Sequence, residues 1–189
     1  MRTISELKEV SKAAIEPQKW EAIIAILIVY GVMSALTAAA GIGIILAGPL
    51  MVGLIYYLSS IRKGDKPVYN TLLDGFKEPL TSSIITYILQ SVFIFLWSLL
   101  FLIPGIIKFY SYAMSLYLVA DNPQISATEA ITQSRKMMDG HKMELFTLHL
   151  SYILWFLLGI LTFGLALIYI APFVKAAELE FYHELKENQ

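Results

Sequence analysis

Residues 22–61 form a run of 40 positions without a single charged side chain. A helix needs roughly 20 apolar residues to cross bilayer hydrocarbon, so a run twice that long predicts two spanning helices joined by a tight turn. The small residues Ala38-Ala39-Ala40-Gly41-Ile42-Gly43 sit near its midpoint and are where the turn is expected. Trp20 at one end and Tyr56 and Tyr57 at the other suit a common headgroup level, where amphipathic aromatic rings anchor. Gly41, Gly43, Gly48 and Gly53 read as positions of close helix packing.

The pattern repeats. Residues 79–120 are apolar apart from Lys108, and residues 145–174 carry no Asp, Glu, Lys or Arg, so each predicts a further hairpin. The second turns either at Pro104-Gly105, leaving Lys108 about 6 Å below the surface and able to snorkel, or at Ser98-Leu99, leaving it about 14 Å deep. The third is expected to turn at Thr162-Phe163-Gly164.

Each hairpin follows an amphipathic stretch. Thr3 and Glu6 have capping-box spacing ahead of an apolar face of Ile4, Leu7, Val10, Ala14 and Ile15, and Pro17 ends that helix. The polar turn Lys63-Gly64-Asp65-Lys66-Pro67 precedes a short segment at 70–76. After Asp121-Asn122-Pro123, Ser126 and Glu129 repeat the capping pattern, and Ala127, Ala130, Ile131, Ser134, Met137 and Met138 make one face, stopped at Gly140.

A lysine with a nearby glutamate opens every hairpin, at Lys19, Lys77 and Lys142, and a proline follows at Pro49, Pro104 and Pro172, offsets of 30, 27 and 30. At an offset of 65, Leu72-Leu73-Asp74-Gly75-Phe76-Lys77 parallels Met137-Met138-Asp139-Gly140-His141-Lys142. The expected fold is an all-α membrane protein: six transmembrane helices as three parallel helical hairpins, each preceded by an amphipathic interfacial helix. It forms a single domain over 1–189, with repeats at 3–62, 66–121 and 126–187.

Composition excludes several function classes. With 57% hydrophobic and 15% charged residues, the chain exceeds what a soluble domain of 189 residues can hide. No hydrophilic segment is long enough for a separate catalytic domain. A net charge of -1 argues against nucleic acid, and the lack of cysteine excludes disulfides and thiolate chemistry. Glu6, Glu9 and Glu16 argue against a cleavable signal at the start. No phosphate loop, zinc-protease helix or nucleophile elbow is present, so no enzyme activity, cofactor or metal site is expected. His149, between Leu148 and Leu150, reads as a packing residue.

Of the 14 basic residues, 13 fall on one side of the hairpins. By the positive-inside rule both termini are then cytoplasmic, in a bacterial inner membrane. The residues placed to carry function form two groups. Arg135, Lys136, His141 and Lys142 form a basic surface suited to anionic membrane phospholipid or to another membrane protein. Lys108 and Tyr112 are polar groups within the second apolar run, while Lys175 and Glu178 follow the third, either about 17 Å below its turn at Gly164 or, if that hairpin is shallow, at the cytoplasmic interface; their spacing suits an ion pair.

Phe95-Leu96-Trp97-Ser98, Ile103-Pro104-Gly105-Ile106-Ile107-Lys108, Ala120-Asp121-Asn122-Pro123, Glu129-Ala130-Ile131, Ser134-Arg135-Lys136-Met137-Met138 and Gly140-His141-Lys142 resemble, in that order, a bacterial integral membrane family, domain-of-unknown-function family 975. The end of the third hairpin, Tyr169-Ile170-Ala171-Pro172-Phe173, departs from its aromatic-Pro-aromatic pattern. More distantly, residues 104–146 are similar to the membrane domain of some glycerophosphodiester phosphodiesterases, whose catalytic barrel this chain is too short to contain. That resemblance implies a membrane module associated with lipid. The expected function is therefore a non-enzymatic lipid- or partner-binding module. Two alternatives are a small transporter using Lys108, Lys175 and Glu178, and an immunity or stress protein against membrane-active peptides.

Single cysteines at Ala40, Lys66 and Gly164 test the topology. Positions 40 and 164 are expected to react with an impermeant thiol reagent added outside the cell and position 66 only after lysis; external labelling at 66 would overturn the assignment.

Overall fold

The computed structural model describes residues 2–40 and 43–188, and regular structure among them is helical throughout. The order is α1 (Ile4–Ile15), a 3₁₀ turn (Glu16–Gln18), α2 (Lys19–Ala40), α3 (Gly43–Arg62) and a 3₁₀ segment (Tyr69–Phe76). Then come α4 (Leu80–Leu100), α5 (Leu102–Tyr112), α6 (Ser115–Asp121), α7 (Ala127–Met137), α8 (Lys142–Leu150), α9 (Ile153–Leu161) and α10 (Leu165–Glu187).

Local chemistry explains the starts and stops. Thr3 Oγ1 accepts from the Glu6 amide at 3.3 Å, and the Glu6 carboxylate accepts from the Thr3 amide at 2.7 Å, which satisfies two free donors at the start of α1. Ser126 Oγ accepts from the Glu129 amide at 3.3 Å and starts α7 in the same way. Ala127, Ala130, Ile131, Ser134 and Met137 form its buried face. Between α9 and α10 the turn falls at Thr162-Phe163-Gly164, with Phe163 at φ 50° and Gly164 at φ 93°. The left-handed region carries no Cβ penalty for glycine. Part of the expected first turn, residues 41 and 42, lies outside the described residues.

The second hairpin turns at neither expected place. Its break is Phe101, in extended conformation (φ -158°, ψ 144°), so Pro104 falls in the first turn of α5, where the missing N–H has no helical partner to lose. Lys108 is then seven residues into α5, about 10 Å along its axis. Two further breaks carry no proline or glycine to mark them in the sequence. α5 and α6 separate at Ala113 and Met114, and α8 and α9 separate at Ser151 and Tyr152 with a bend of 41°.

Four helical segments among the described residues are long and apolar enough to cross a membrane: Ile4–Ala38, Gly43–Arg62, Leu80–Leu99 and Leu102–Asp121. The bent α8 and α9 pair makes a fifth if counted as one span. α10 has the length, at 23 residues, but Lys175, Glu178, Glu180, Glu184, Lys186 and Glu187 keep it out of that set. The chain is therefore a helical membrane protein, with large apolar side chains such as Leu27, Phe95, Leu99, Leu154 and Ile160 standing exposed along these helices. Such a surface is stable against lipid and not against water.

The core is built around α3. Its Val52, Leu54, Tyr57 and Leu58 are buried with Ala25 and Val29 of α2, Met114 just before α6, Val119 of α6, and Phe173 and Ala177 of α10. Glycine allows backbone to approach backbone there. A Cβ on Gly53 would collide with the Leu72 carbonyl, one on Gly48 with the Ser83 backbone, and one on Gly75 with the Pro49 carbonyl. The short segment Tyr69–Phe76 is thus pressed directly onto α3, which leaves the cavity-lining face of α3 turned toward α4 and α10.

At one end of the bundle a charged layer joins distant parts of the chain. Arg62 Nε donates to Glu180 at 2.6 Å, and the Arg2 guanidinium lies 3.5 Å from Glu184. The Asp121 carboxylate accepts from Tyr182 at 3.0 Å and from Lys186. Residues 182 positions apart meet here, since the Arg2 amide donates to Glu184 at 3.1 Å.

Gly53→Val is expected to lower stability by about 1–3 kcal/mol, because backbone cannot move aside as a side chain can. Gly31→Ala, which meets open space, should be neutral or slightly stabilising. Thermal unfolding in detergent checks both, and equal behaviour of the two variants would refute the close packing of α3.

Candidate functional site: a basic pocket and a polar cleft

The break between α5 and α6 builds the first site. Interrupting a helix releases backbone groups that need partners. At this break Ser134 of α7 supplies them: its hydroxyl donates to the Ser111 carbonyl at 2.9 Å and accepts from the Met114 amide at 3.2 Å. Ser134 is fully buried, so this contact fixes α7 against the joint.

With Ser134 facing inward, the next two residues of α7, Arg135 and Lys136, line a pocket of about 350 Å³. α5 contributes Ile107, Lys108 and Ser111, α7 adds Thr132, and the turn into α8 adds Asp139 and Lys142. Four cations thus face one carboxylate. Asp139 is engaged by Lys142 at 3.3 Å. Lys108 Nζ lies 4.6 Å from the centre of the Trp97 ring on α4, a cation–π contact that holds the ammonium at the pocket edge. The arrangement favours an anion with several acceptor oxygens, which ammonium and guanidinium groups bind through charge-assisted hydrogen bonds.

The second site lies between α3, α4, α5, α6, α8 and α10, and its polar wall is centred on Glu178. Glu178 Oε2 accepts from Lys175 Nζ at 2.7 Å and from the Tyr117 hydroxyl at 2.8 Å. Its Oε1 lies 3.0 Å from His149 Nε2, and His149 Nδ1 lies 3.2 Å from the Tyr110 hydroxyl. A carboxylate only accepts, so Nε2 carries a proton and donates. Nδ1 and the Tyr110 hydroxyl share the next hydrogen bond, so the network runs unbroken from Lys175 through Glu178 and His149 to Tyr110.

The structure therefore regroups the residues singled out from sequence. Arg135, Lys136 and Lys142 share a pocket, whereas His141 precedes α8 and pairs with Glu144 at 3.1 Å. Lys108 joins the basic pocket and lies outside the cleft that holds Lys175 and Glu178. Lys175 and Glu178 form the ion pair their spacing suits. Tyr112 is buried on the cleft wall, its ring 6.1 Å from Phe93. His149, Tyr110 and Tyr117 were missed as a set. The one available signal was that Tyr110 and Tyr117 stand seven residues apart, on one face of a helix.

Residues 100–189 match the model of a family described as a protein of unknown function, DUF975. That segment runs from the end of α4 to the end of the chain and contains both sites except for the walls given by α3 and α4. No curated protein and no solved structure matches the chain, so the likeness to phosphodiesterase membrane domains stands without support from either.

Ser134→Ala should strand the Met114 amide and the Ser111 carbonyl, destabilising the protein by about 1–3 kcal/mol and loosening α7. Hydrogen exchange that speeds up at 111–115 and 127–137 before other helices is the expected signature; uniform exchange would show that Ser134 does not hold α7 in place.

Proposed function

With residues 100–189 matching the DUF975 family model, we propose that this protein is a non-enzymatic membrane module that holds the headgroup of an anionic phospholipid in the pocket of Lys108, Arg135, Lys136 and Lys142. The observation that carries this reading is the pocket itself. Lys108 on α5 is separated from Arg135 on α7 by 27 positions in sequence, yet the two line one cavity with Lys136, Lys142 and a single carboxylate, Asp139.

A lipid phosphodiester carries one negative charge and exposed oxygens, which suit a guanidinium flanked by ammonium groups. The apolar surface beside the pocket suits the rest of the lipid: Ile106, Ile107, Phe101, Leu102 and Ile103 are exposed on and before α5. Acyl chains lying along α4 and α5 would cover them while the headgroup meets the cations, a placement that joins the hydrophobic and electrostatic parts of lipid affinity.

In this reading the chain sits in a bacterial cytoplasmic membrane with six crossings. α1 precedes α2 and α3, the segment Tyr69–Phe76 precedes α4 and the α5–α6 pair, and α7 precedes the α8–α9 pair and α10. α10 becomes the sixth span because Lys175 and Glu178 neutralise each other within the bundle. Basic residues gather on the side of both termini, which the positive-inside rule makes cytoplasmic.

Native mass spectrometry of protein purified from bilayers of mixed phosphatidylglycerol and phosphatidylcholine tests the assignment. Retained lipid should be enriched in phosphatidylglycerol, and the double variant Lys108→Gln with Arg135→Gln should lose about thirtyfold of that preference, at roughly 1 kcal/mol per cation. Lys63→Gln with Lys66→Gln, in the loop after α3, should change little. Equal retention of the two lipids by the unaltered protein would end the proposal.

A further inference from the structure

The cleft and the basic pocket share no lining residue, so the cleft is a second and independent site. Its volume is about 290 Å³. Met51, Leu54, Ile55 and Leu58 of α3 and Ile94 of α4 form an apolar wall, while Glu178, Lys175, His149 and Tyr117 form a polar one.

One polar group in this cleft is unsatisfied. Gln90 Oε1, on α4, is shielded from solvent and has no hydrogen-bond partner. Buried side-chain oxygens are nearly always paired, and one left unpaired in a cavity wall calls for a donor from whatever fills the cavity. The opposite wall offers the complementary group. Lys175 carries three N–H donors, of which Glu178 takes one. The cleft thus presents one acceptor and spare donors beside a patch of aliphatic side chains.

Charge narrows the ligand further. Lys175 and His149 both lie against the Glu178 carboxylate, so the charges in this wall are already engaged with one another. An ionic ligand would lose its water here without meeting a free counter-charge. At the roughly 30 Å³ that a water-sized atom occupies in a liquid, the volume corresponds to about ten heavy atoms.

We propose that the cleft binds a small uncharged amphiphile bearing a hydroxyl or primary amide. Its donor is held by Gln90 Oε1, its acceptor by Lys175 Nζ, and its short alkyl part by Met51, Leu54, Ile55 and Leu58. The site needs neither the basic pocket nor an anionic lipid.

The test uses the full chain in phosphatidylcholine nanodiscs and a diazirine analogue of octanol, with adducts mapped by mass spectrometry. Adducts are expected on Tyr87, Tyr117 or Glu178, displaced by 1-octanol and not by octane or octanoate. Gln90→Leu should weaken displacement by 1-octanol about tenfold, the usual size of one hydrogen bond to a buried group. Leu54→Trp, which fills the cavity, should remove the adducts while leaving the circular dichroism unchanged. If that bulky variant fails to fold, Gln90→Leu still decides. Adducts confined to lipid-facing residues such as Phe95 and Leu99, displacement by octane or octanoate as effective as by octanol, or unchanged displacement in Gln90→Leu would each overturn the assignment.

Discussion

A helix that stops within an apolar layer strands backbone amides and carbonyls, and each must find a partner inside the protein. That constraint governs this bundle more than any single apolar contact. At Ala113 and Met114 the partner is the Ser134 hydroxyl. At Ser151 the chain uses its own side chain, with Oγ donating to the Leu148 carbonyl at 2.6 Å, while the Trp155 amide donates to the Tyr152 carbonyl at 2.9 Å. The first solution recruits a separate helix, and by recruiting α7 it sets Arg135 and Lys136 beside Lys108. A defect in one helix is therefore what assembles a pocket from residues far apart in sequence.

Much of the architecture could be read from the residues because its causes are local. Uncharged runs of 40 and 30 residues can only be bilayer or core segments. Thr3 with Glu6, and Ser126 with Glu129, start helices within one turn of themselves. Gly164 marks a turn because a left-handed backbone suits glycine. Each of these signals lies within a few positions of the structure it dictates.

What could not be read depends on contacts between helices. Pro104-Gly105 attracts attention as a turn, yet Phe101 breaks the hairpin: proline is comfortable in a first turn, and Gly105 serves instead to let α5 close on Ser98. His149 stands alone among leucines in sequence, and its meaning comes from Tyr110, 39 residues away, and Glu178, 29 residues away. In sequence Lys108, Lys175 and Glu178 group together because all three lie in or directly after long apolar runs. Depth in a sequence plot does not say which neighbouring helix a side chain faces, and the docking of α7 through Ser134 decides that for Lys108.

The charged layer bears on the order of assembly during synthesis. Arg62 closes the first hairpin, but its partner Glu180 follows 118 residues later. At about 5–20 residues per second, the ribosome needs about 6–24 s to supply it. Through that interval the first hairpin must hold with an unpaired guanidinium at its end, which is tolerable because Arg62 stays a third exposed in the finished structure. Glu180 and Glu184, buried once in place, are made after Arg62 and Arg2, which already await them. α10 thus works as a latch on the first hairpin, and a nascent chain cut before residue 180 would leave both arginines without the acids that close the bundle.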